Sequence, residues 1–225
     1  LTILGKPMAL ALFDLDNTLI AGDSDHGWGE FLVNHQIVDK AHYRRMNDQF
    51  YQDYLNGVLD MNNYLAFALQ PLATLTPADL TRLHHQFMEE VIAPMWLPSA
   101  ERLLQKHREQ GDLLMIITST NRFIVEPICR KLGVTELIAT ELEQRDGRYT
   151  GRVSGIPSYR EGKVVRLEAW LAETGHNLVG SSFYSDSIND LPLLQIVDRP
   201  VAVDPCDALR EVAEQRGWEI ISLRG

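Results

Sequence analysis

Asp14 and Asp16 stand two residues apart at the end of the apolar run "MALALF", inside "FDLDNTLIAGDSD" (Phe13 to Asp25), which packs four aspartates into thirteen residues. Two unit charges about 4 Å apart repel by roughly 4 kcal/mol at an effective dielectric near 20, so carboxylates crowded at a strand end need a partner or a task. Later runs close on related chemistry: Thr118 and Ser119 follow "LLMII", Lys163 follows Gly162 at the start of a helical stretch, and Asp186, Asn189 and Asp190 follow "SSFYS". Together they offer a carboxylate nucleophile, a second carboxyl for proton transfer, hydroxyl and ammonium donors for a small anion, and carboxylates for a hard cation. Mg²⁺ takes few protein carboxylates and keeps waters and substrate phosphate. It suits this mixture and would relieve the crowding.

Such residues meet only if the elements carrying them share one rim. "MALALFD" (8 to 14), "DLLMIIT" (112 to 118), "ELIATEL" (136 to 142), "SSFYSD" (181 to 186) and "RPVAVD" (199 to 204) read as short buried strands. Helical patterns alternate with them over Pro98 to Gln110, Arg122 to Leu132, Arg160 to Glu173 and Cys206 to Gln215. The alternation predicts an α/β fold, a Rossmann-like parallel sheet with helices on both faces, whose ligands sit at the carboxyl ends of strands. Residues 21–94 break the pattern and read as helices throughout, a cap inserted after the first strand, leaving 8–20 and 95–225 as the core. The segment "ELEQRDGRYTGRVSG", with an Asp146-Gly147 turn, is expected to form a hairpin flanking the sheet.

A chain of 225 residues, 45% hydrophobic and 23% charged, is a soluble globular protein long enough for this core and its insertion. A net charge of -10 without a basic run argues against nucleic acid or an anionic membrane as partner and favours a small ligand. No apolar segment approaches the length of a membrane span, and the residues before Met8 lack the basic start and apolar stretch of a signal peptide and need not be native. Cys129 and Cys206 are too few for a disulfide scaffold and point to a reducing compartment, the cytoplasm.

"DLDNT", "IITS", "GKVVRL" and "SDSINDLPLL" stand in the order and approximate spacing of the four motifs of the haloacid dehalogenase superfamily, which the chain resembles over most of its length. The insertion resembles that superfamily's C1 cap, and "NDLPLL" its phosphoserine phosphatase branch, subfamily IB. "DLDNTLIAGDSD" followed by "WGEFL" is similar to the subfamily IB hydrolases that include bacterial histidinol-phosphate phosphatases. The resemblance implies a phosphatase of small phosphorylated metabolites. Asp14 would form an aspartyl phosphate, and Asp16 would serve as general acid and then base. Thr118, Ser119, Lys163 and Asn189 would hold the phosphoryl group. Mg²⁺ would be bound by Asp14, the Asp16 carbonyl and Asp186, with Asp190 in support. Tyr184, where the fourth motif often has glycine, is expected to narrow the mouth of the site.

Blander readings stand beside these. Asp, Asn and Thr after an apolar run are ordinary turn residues, Lys163 alone would be a solvated helix residue, and Asp190 would cap the "LPLLQIV" helix. An EF-hand is ruled out by Thr18 and Leu19, which stand where that loop wants Asp or Asn and then Gly. A non-catalytic module on the same fold would be expected to lack Asp14 or Asp16. Among the scattered histidines none is assigned to a metal.

Substrate choice should reside in the cap. From Asp14 to Asp60 nine acidic residues face only Lys40, Arg44 and Arg45, which suggests a cationic substrate head. In phosphoserine phosphatases a glutamate nine residues after the nucleophile binds the substrate amine, and Asp23 stands there; its alternative is to cap the first cap helix. Asp25 and Trp28 are further candidates. Arg44 and Arg45 would serve the carboxylate of phosphoserine, whereas histidinol phosphate replaces that carboxylate with an imidazole arm.

Overall fold

Leu10–Phe13, four apolar residues in a row, form strand β1 and are all buried, as a strand covered on both faces must be. The computed structural model describes residues 9–224; the expected strand start at Met8, the residues before it and Gly225 lie outside. β1 is flanked in parallel by β2 (Leu113–Asn121) and β6 (Ser182–Ser185). With β3 (Glu136–Thr140), β7 (Arg199–Val203) and β8 (Glu219–Ile221) the order is β3-β2-β1-β6-β7-β8, every neighbouring pair parallel. β8, a three-residue edge strand, is too short to show a pattern in the sequence.

Alternate side chains face alternate cores. Ala11, Phe13, Leu114 and Ile116 pack toward α6 (Pro98–Glu109) and α7 (Arg122–Lys131). Leu10, Leu12, Met115 and Ile117 pack toward α8 (Glu161–Thr174), α9 (Leu191–Leu194) and α10 (Asp207–Arg216). The Rossmann-like parallel sheet with helices on both faces is therefore present.

Between β1 and α6 lie α1 (Ser24–Asn34), α2 (Lys40–Leu55), α3 (Met61–Ala68), α4 (Gln70–Thr74) and α5 (Pro77–Phe87), followed by a π turn and a 3-10 turn. Asp23, Asp39, Asp60 and Thr76 each accept a backbone N–H in the first turn of the helix they precede. Three of the acidic residues that give this region its charge are thus helix caps. The two connections to the sheet run side by side: Ile20 bridges Trp96 antiparallel, and the Ala21 N–H donates to the Met95 carbonyl at 2.8 Å.

β4 (Leu142–Arg145) and β5 (Arg148–Val153) form the expected hairpin, with Asp146 and Gly147 at φ 51° and 73°, the conformation a tight primed turn requires. It does not flank the six-stranded sheet. It is a separate ribbon packed on α3 and α4, because Tyr149 and Val153 turn their apolar surface to the core under those helices. Cys129 and Cys206 are both free. Among the described residues no helix is long and apolar enough to cross a membrane.

Candidate active site

Asp14 is the first residue past β1, its N–H donating to the Tyr184 carbonyl at 2.9 Å. Its carboxyl is buried, with Lys163 Nζ 2.8 Å from Oδ1. Lys163 is wholly buried and its second partner is Asp190 Oδ1 at 2.6 Å, while Asp190 Oδ2 accepts from the Ser185 hydroxyl at 2.7 Å. Gly162 lets the start of α8 lie against the Pro157 carbonyl, whose oxygen a Cβ there would strike. Two of the blander readings fall here. Lys163 is no solvated helix residue, and Asp190 makes no side-chain cap to α9, because its carboxylate is engaged by the ammonium and the Ser185 hydroxyl.

The Thr18 hydroxyl lies 3.4 Å from Asp14 Oδ2 and 3.1 Å from Asp186 Oδ1, and it accepts the Asp186 N–H at 3.1 Å. Its single proton serves only one of the two carboxylates at a time. Burial pushes Asp14 up to about 7 against the pull of Lys163, and burial, then the charge of Asp14, raises Asp186 well above the usual carboxylate range. For Lys163 burial works against the charge, but Asp14 and Asp190 outweigh it and raise the ammonium. Surplus negative charge on hard oxygen donors fits a divalent cation of the Mg²⁺ type.

Asp16 is held at both oxygens. Oδ1 accepts the N–H of Ser24, the first residue of α1, at 2.6 Å, and Oδ2 accepts the Thr120 hydroxyl at 2.7 Å. Burial, then the charge of Asp23, pushes Asp16 up to about 7. Thr120 escaped the sequence reading, which stopped at Thr118 and Ser119; the available signal was its place two residues beyond Thr118 on the same strand. Thr118, Ser119 and Thr120 all line a cleft with Asp14 and Asp16, about 520 Å³ counting its open mouth.

These shifts carry a sign. Asp14 and Asp16 are raised from 3.8 to about 7, so between those values the folded, metal-free protein binds more protons than the unfolded chain and loses stability as pH rises. With a chelator present, Tm is expected to fall from pH 5 to pH 8. The gain on adding Mg²⁺ should be larger at pH 8. A metal-free Tm that climbs over this range would contradict the assignment.

The opposite wall belongs to the inserted helices. Asp23 lines the cleft while capping α1, accepting from the N–H groups of Asp25 (3.0 Å) and His26 (2.8 Å). Asp25 also lines it and accepts from the Tyr64 hydroxyl. Burial, then the charge of Asp25, lifts Asp23 to about 7; burial, against the Tyr64 hydrogen bond, lifts Asp25 to about 7. Phe50, Tyr51, Tyr54 and Tyr64 supply aromatic surface, and among the described residues no arginine lines the cleft.

Three of the cap residues expected to select substrate are not brought to this cleft. Trp28 is buried among Phe31, Phe87 and Phe123. Arg44 pairs with Glu30 at 2.9 Å and reaches Asn34, and Arg45 reaches His42. The inward stripe of α2 is Tyr43, Asn47, Phe50, Tyr51 and Tyr54, at helical spacing, so positions 44 and 45 fall outside it. Tyr184 does not narrow the mouth either. Its ring stacks on Phe13 at 5.0 Å and its hydroxyl meets His107 at 2.8 Å inside the core.

Asn189 also sits differently from expectation. Its Nδ2 donates to the Tyr54 carbonyl at 2.9 Å, and its Oδ1 accepts from Tyr159 and Arg160, both at 3.1 Å. Arg160 donates further to the Gly57 carbonyl. Asn189 therefore ties the end of α2 to the sheet's rim instead of standing free for a ligand. The structure gathers His26, Glu30 and Asp48 at the surface, but Asp48 engages His26 and Arg44 engages Glu30.

The haloacid dehalogenase-like hydrolase family matches residues 11–195. Over 219 residues the chain is 47% identical to a histidinol-phosphatase of Neisseria meningitidis serogroup C, covering 96% of this chain and 99% of that one. It is 33% identical over 222 residues to phosphoserine phosphatase SerB1 of Mycobacterium tuberculosis, covering 96% and 71% respectively. Among solved structures, a protein of unknown function from Bordetella pertussis aligns with a TM-score of 0.90 at 46% identity, covering 97% of this chain and 100% of that one. A phospho-aspartyl intermediate analogue of phosphoserine phosphatase shares the fold, with a TM-score of 0.72 at 20% identity, covering 97% and 95%.

Proposed function

The chain belongs to the haloacid dehalogenase-like hydrolase family and is a phosphatase, and from that premise we propose that it hydrolyses a small amine-bearing phosphomonoester, histidinol phosphate before others, through an aspartyl phosphate on Asp14 with Mg²⁺ bound. One observation carries the substrate class: the cleft runs from Asp14 and Asp16 to Asp23 and Asp25 between aromatic walls, and among the described residues no arginine lines it, while Lys163 sits behind Asp14, paired with Asp14 and Asp190. The carboxylate of phosphoserine would face carboxylates there. A cationic amine and an imidazole ring would meet opposite charge and aromatic surface. The 47% identity to a histidinol-phosphatase supports the same choice.

In this reading a carboxylate oxygen of Asp14 attacks phosphorus as the bond to the alcohol oxygen breaks, and Lys163 and Thr118 hold the phosphoryl oxygens, with Ser119 beside them. Asp16 gives its proton to the leaving oxygen, then takes one from the water that attacks the aspartyl phosphate. Asp14, Asp186 and the Asp16 carbonyl would hold Mg²⁺, which supplies charge neutralisation as an anionic phosphoryl group meets a carboxylate. Asp190 supports the set through Lys163. Residues 21–94 act as the cap that selects substrate over a core of 8–20 and 95–225. The free thiols of Cys129 and Cys206 support a reducing compartment, the cytoplasm.

Purified protein with Mg²⁺ is expected to give a higher kcat/KM on histidinol phosphate than on phosphoserine or an aryl phosphate. A charge-assisted hydrogen bond is worth about 1.5 to 3 kcal/mol, so Asp23→Asn should lower kcat/KM on histidinol phosphate by roughly one to two orders of magnitude, with a smaller loss on aryl phosphate. Preference for phosphoserine would overturn the substrate. Equal losses on both substrates would leave Asp23 as a helix cap alone.

A further inference from the structure

We propose that Thr120 is a positioning residue that assigns the working proton of Asp16 to a single oxygen; the proposal rests on Asp16 being the general acid. Both side chains are buried, and the hydroxyl lies 2.7 Å from Asp16 Oδ2. The other oxygen, Oδ1, is taken at 2.6 Å by the Ser24 N–H. The two partners are chemically unequal. An amide N–H only donates, so the oxygen it holds stays the unprotonated, carbonyl-type oxygen of the acid. A threonine hydroxyl both donates and accepts, so Oδ2 is satisfied with or without a proton.

The local backbone serves the same end. The register of β2 against β3 shifts between Ile117 and Asn121, and the Thr120 N–H donates to the Thr118 hydroxyl at 3.2 Å. Thr118 and Thr120, two residues apart on one strand, share a face, and both reach the cleft. Asn121 then caps α7 by accepting the Ile124 N–H at 3.3 Å.

Before substrate binds, the proton on Oδ2 is shared with the Thr120 oxygen; once the leaving oxygen is seated, the proton turns from Thr120 to that oxygen. When the bond from phosphorus to the leaving oxygen breaks, that oxygen takes the proton and Oδ2 becomes anionic. The Thr120 hydroxyl then turns to donate to it. In the second step Oδ2 takes a proton from the attacking water, the phosphorus–Asp14 bond breaks, and Thr120 returns to accepting. One hydroxyl rotation accompanies each transfer.

The readout is the ratio of kcat on an alkyl phosphate, whose leaving group needs a proton, to kcat on a nitro-aryl phosphate, whose leaving group scarcely does. Thr120→Val should lower this ratio by about 10-fold or more, the scale of a lost hydrogen bond to a charged group, and Thr120→Ser should restore it. If the valine variant does not fold, Thr120→Cys, of similar size with a weak donor, gives the same test. An unchanged ratio, with both rates falling together or neither falling, would overturn the proposal. Asp16→Asn run in parallel separates the two readings. If it collapses the ratio and Thr120→Val does not, the role of Thr120 alone fails; if it leaves the ratio unchanged, the reading of Asp16 as general acid fails.

Discussion

Asp14→Asn is expected to abolish turnover of every phosphomonoester while leaving the protein folded. The amide matches the carboxylate in shape but is no nucleophile, and removing a covalent nucleophile costs on the order of 10⁶-fold in kcat. Stability should not suffer, because Lys163 keeps Asp190 at 2.6 Å and the repulsion between Asp14 and Asp186 is gone. In metal-free buffer above pH 7 the variant should melt at a higher temperature than the wild type. A crystal soaked with Mg²⁺ and beryllium fluoride should carry the adduct on Asp14. An adduct on another side chain, or retained turnover in Asp14→Asn, would overturn the assignment.

Lys163→Met should damage stability and activity together, and the two losses can be separated. The ammonium lies between Asp14 and Asp190 with none of its surface exposed, so removing it strands two buried carboxyls. Breaking one side of a buried ion pair costs about 3 to 5 kcal/mol. Burial raises Asp14, and without its ammonium partner that carboxyl takes up a proton more readily, so the loss should be greater at pH 8 than at pH 5. Adding Asp190→Asn removes one stranded charge and should recover part of the stability. It should recover none of the activity, since the phosphoryl group still lacks its cation, a deficit of roughly 10² to 10³-fold in kcat. Urea unfolding at the two pH values and steady-state kinetics read the two effects. A single variant as stable as wild type at pH 8 would show that Lys163 is not what neutralises these carboxyls.

The strands that carry the site were legible because each is a short apolar run closed by a polar residue, and the parallel sheet followed from their alternation with helices. The Asp146-Gly147 turn was legible for a local reason as well, since both residues must adopt positive φ. Where the hairpin packs was not legible, because a two-stranded ribbon with one apolar face fits against a sheet or against helices equally well. The cleft wall was hidden for another reason. Tyr51 and Tyr54 on α2 and Tyr64 on α3 read as core residues of the inserted helices, and only the docked structure shows that they face a cleft. Arg44 and Arg45 were drawn in by charge type alone, which says nothing about which side of α2 they occupy. Thr120 was missed because a threonine near the end of a buried strand looks like any other β-branched strand residue.

The placement of β1 at the centre of the sheet bears on how the protein is made. Leu10 pairs with Leu113, 103 residues later, and Ala11 pairs with Ser182, 171 residues later. One edge of this apolar strand is not covered before residue 113 and the other not before residue 182, and closing loops of this length before the pairing is rewarded slows folding. During synthesis "ALALF" is therefore an open strand edge, the kind of surface on which nascent chains associate. Refolding yield should depend steeply on protein concentration. Because Asp14 gains its place only when both neighbours have docked, the return of phosphatase activity should follow the slowest phase of refolding and not the earlier formation of helices.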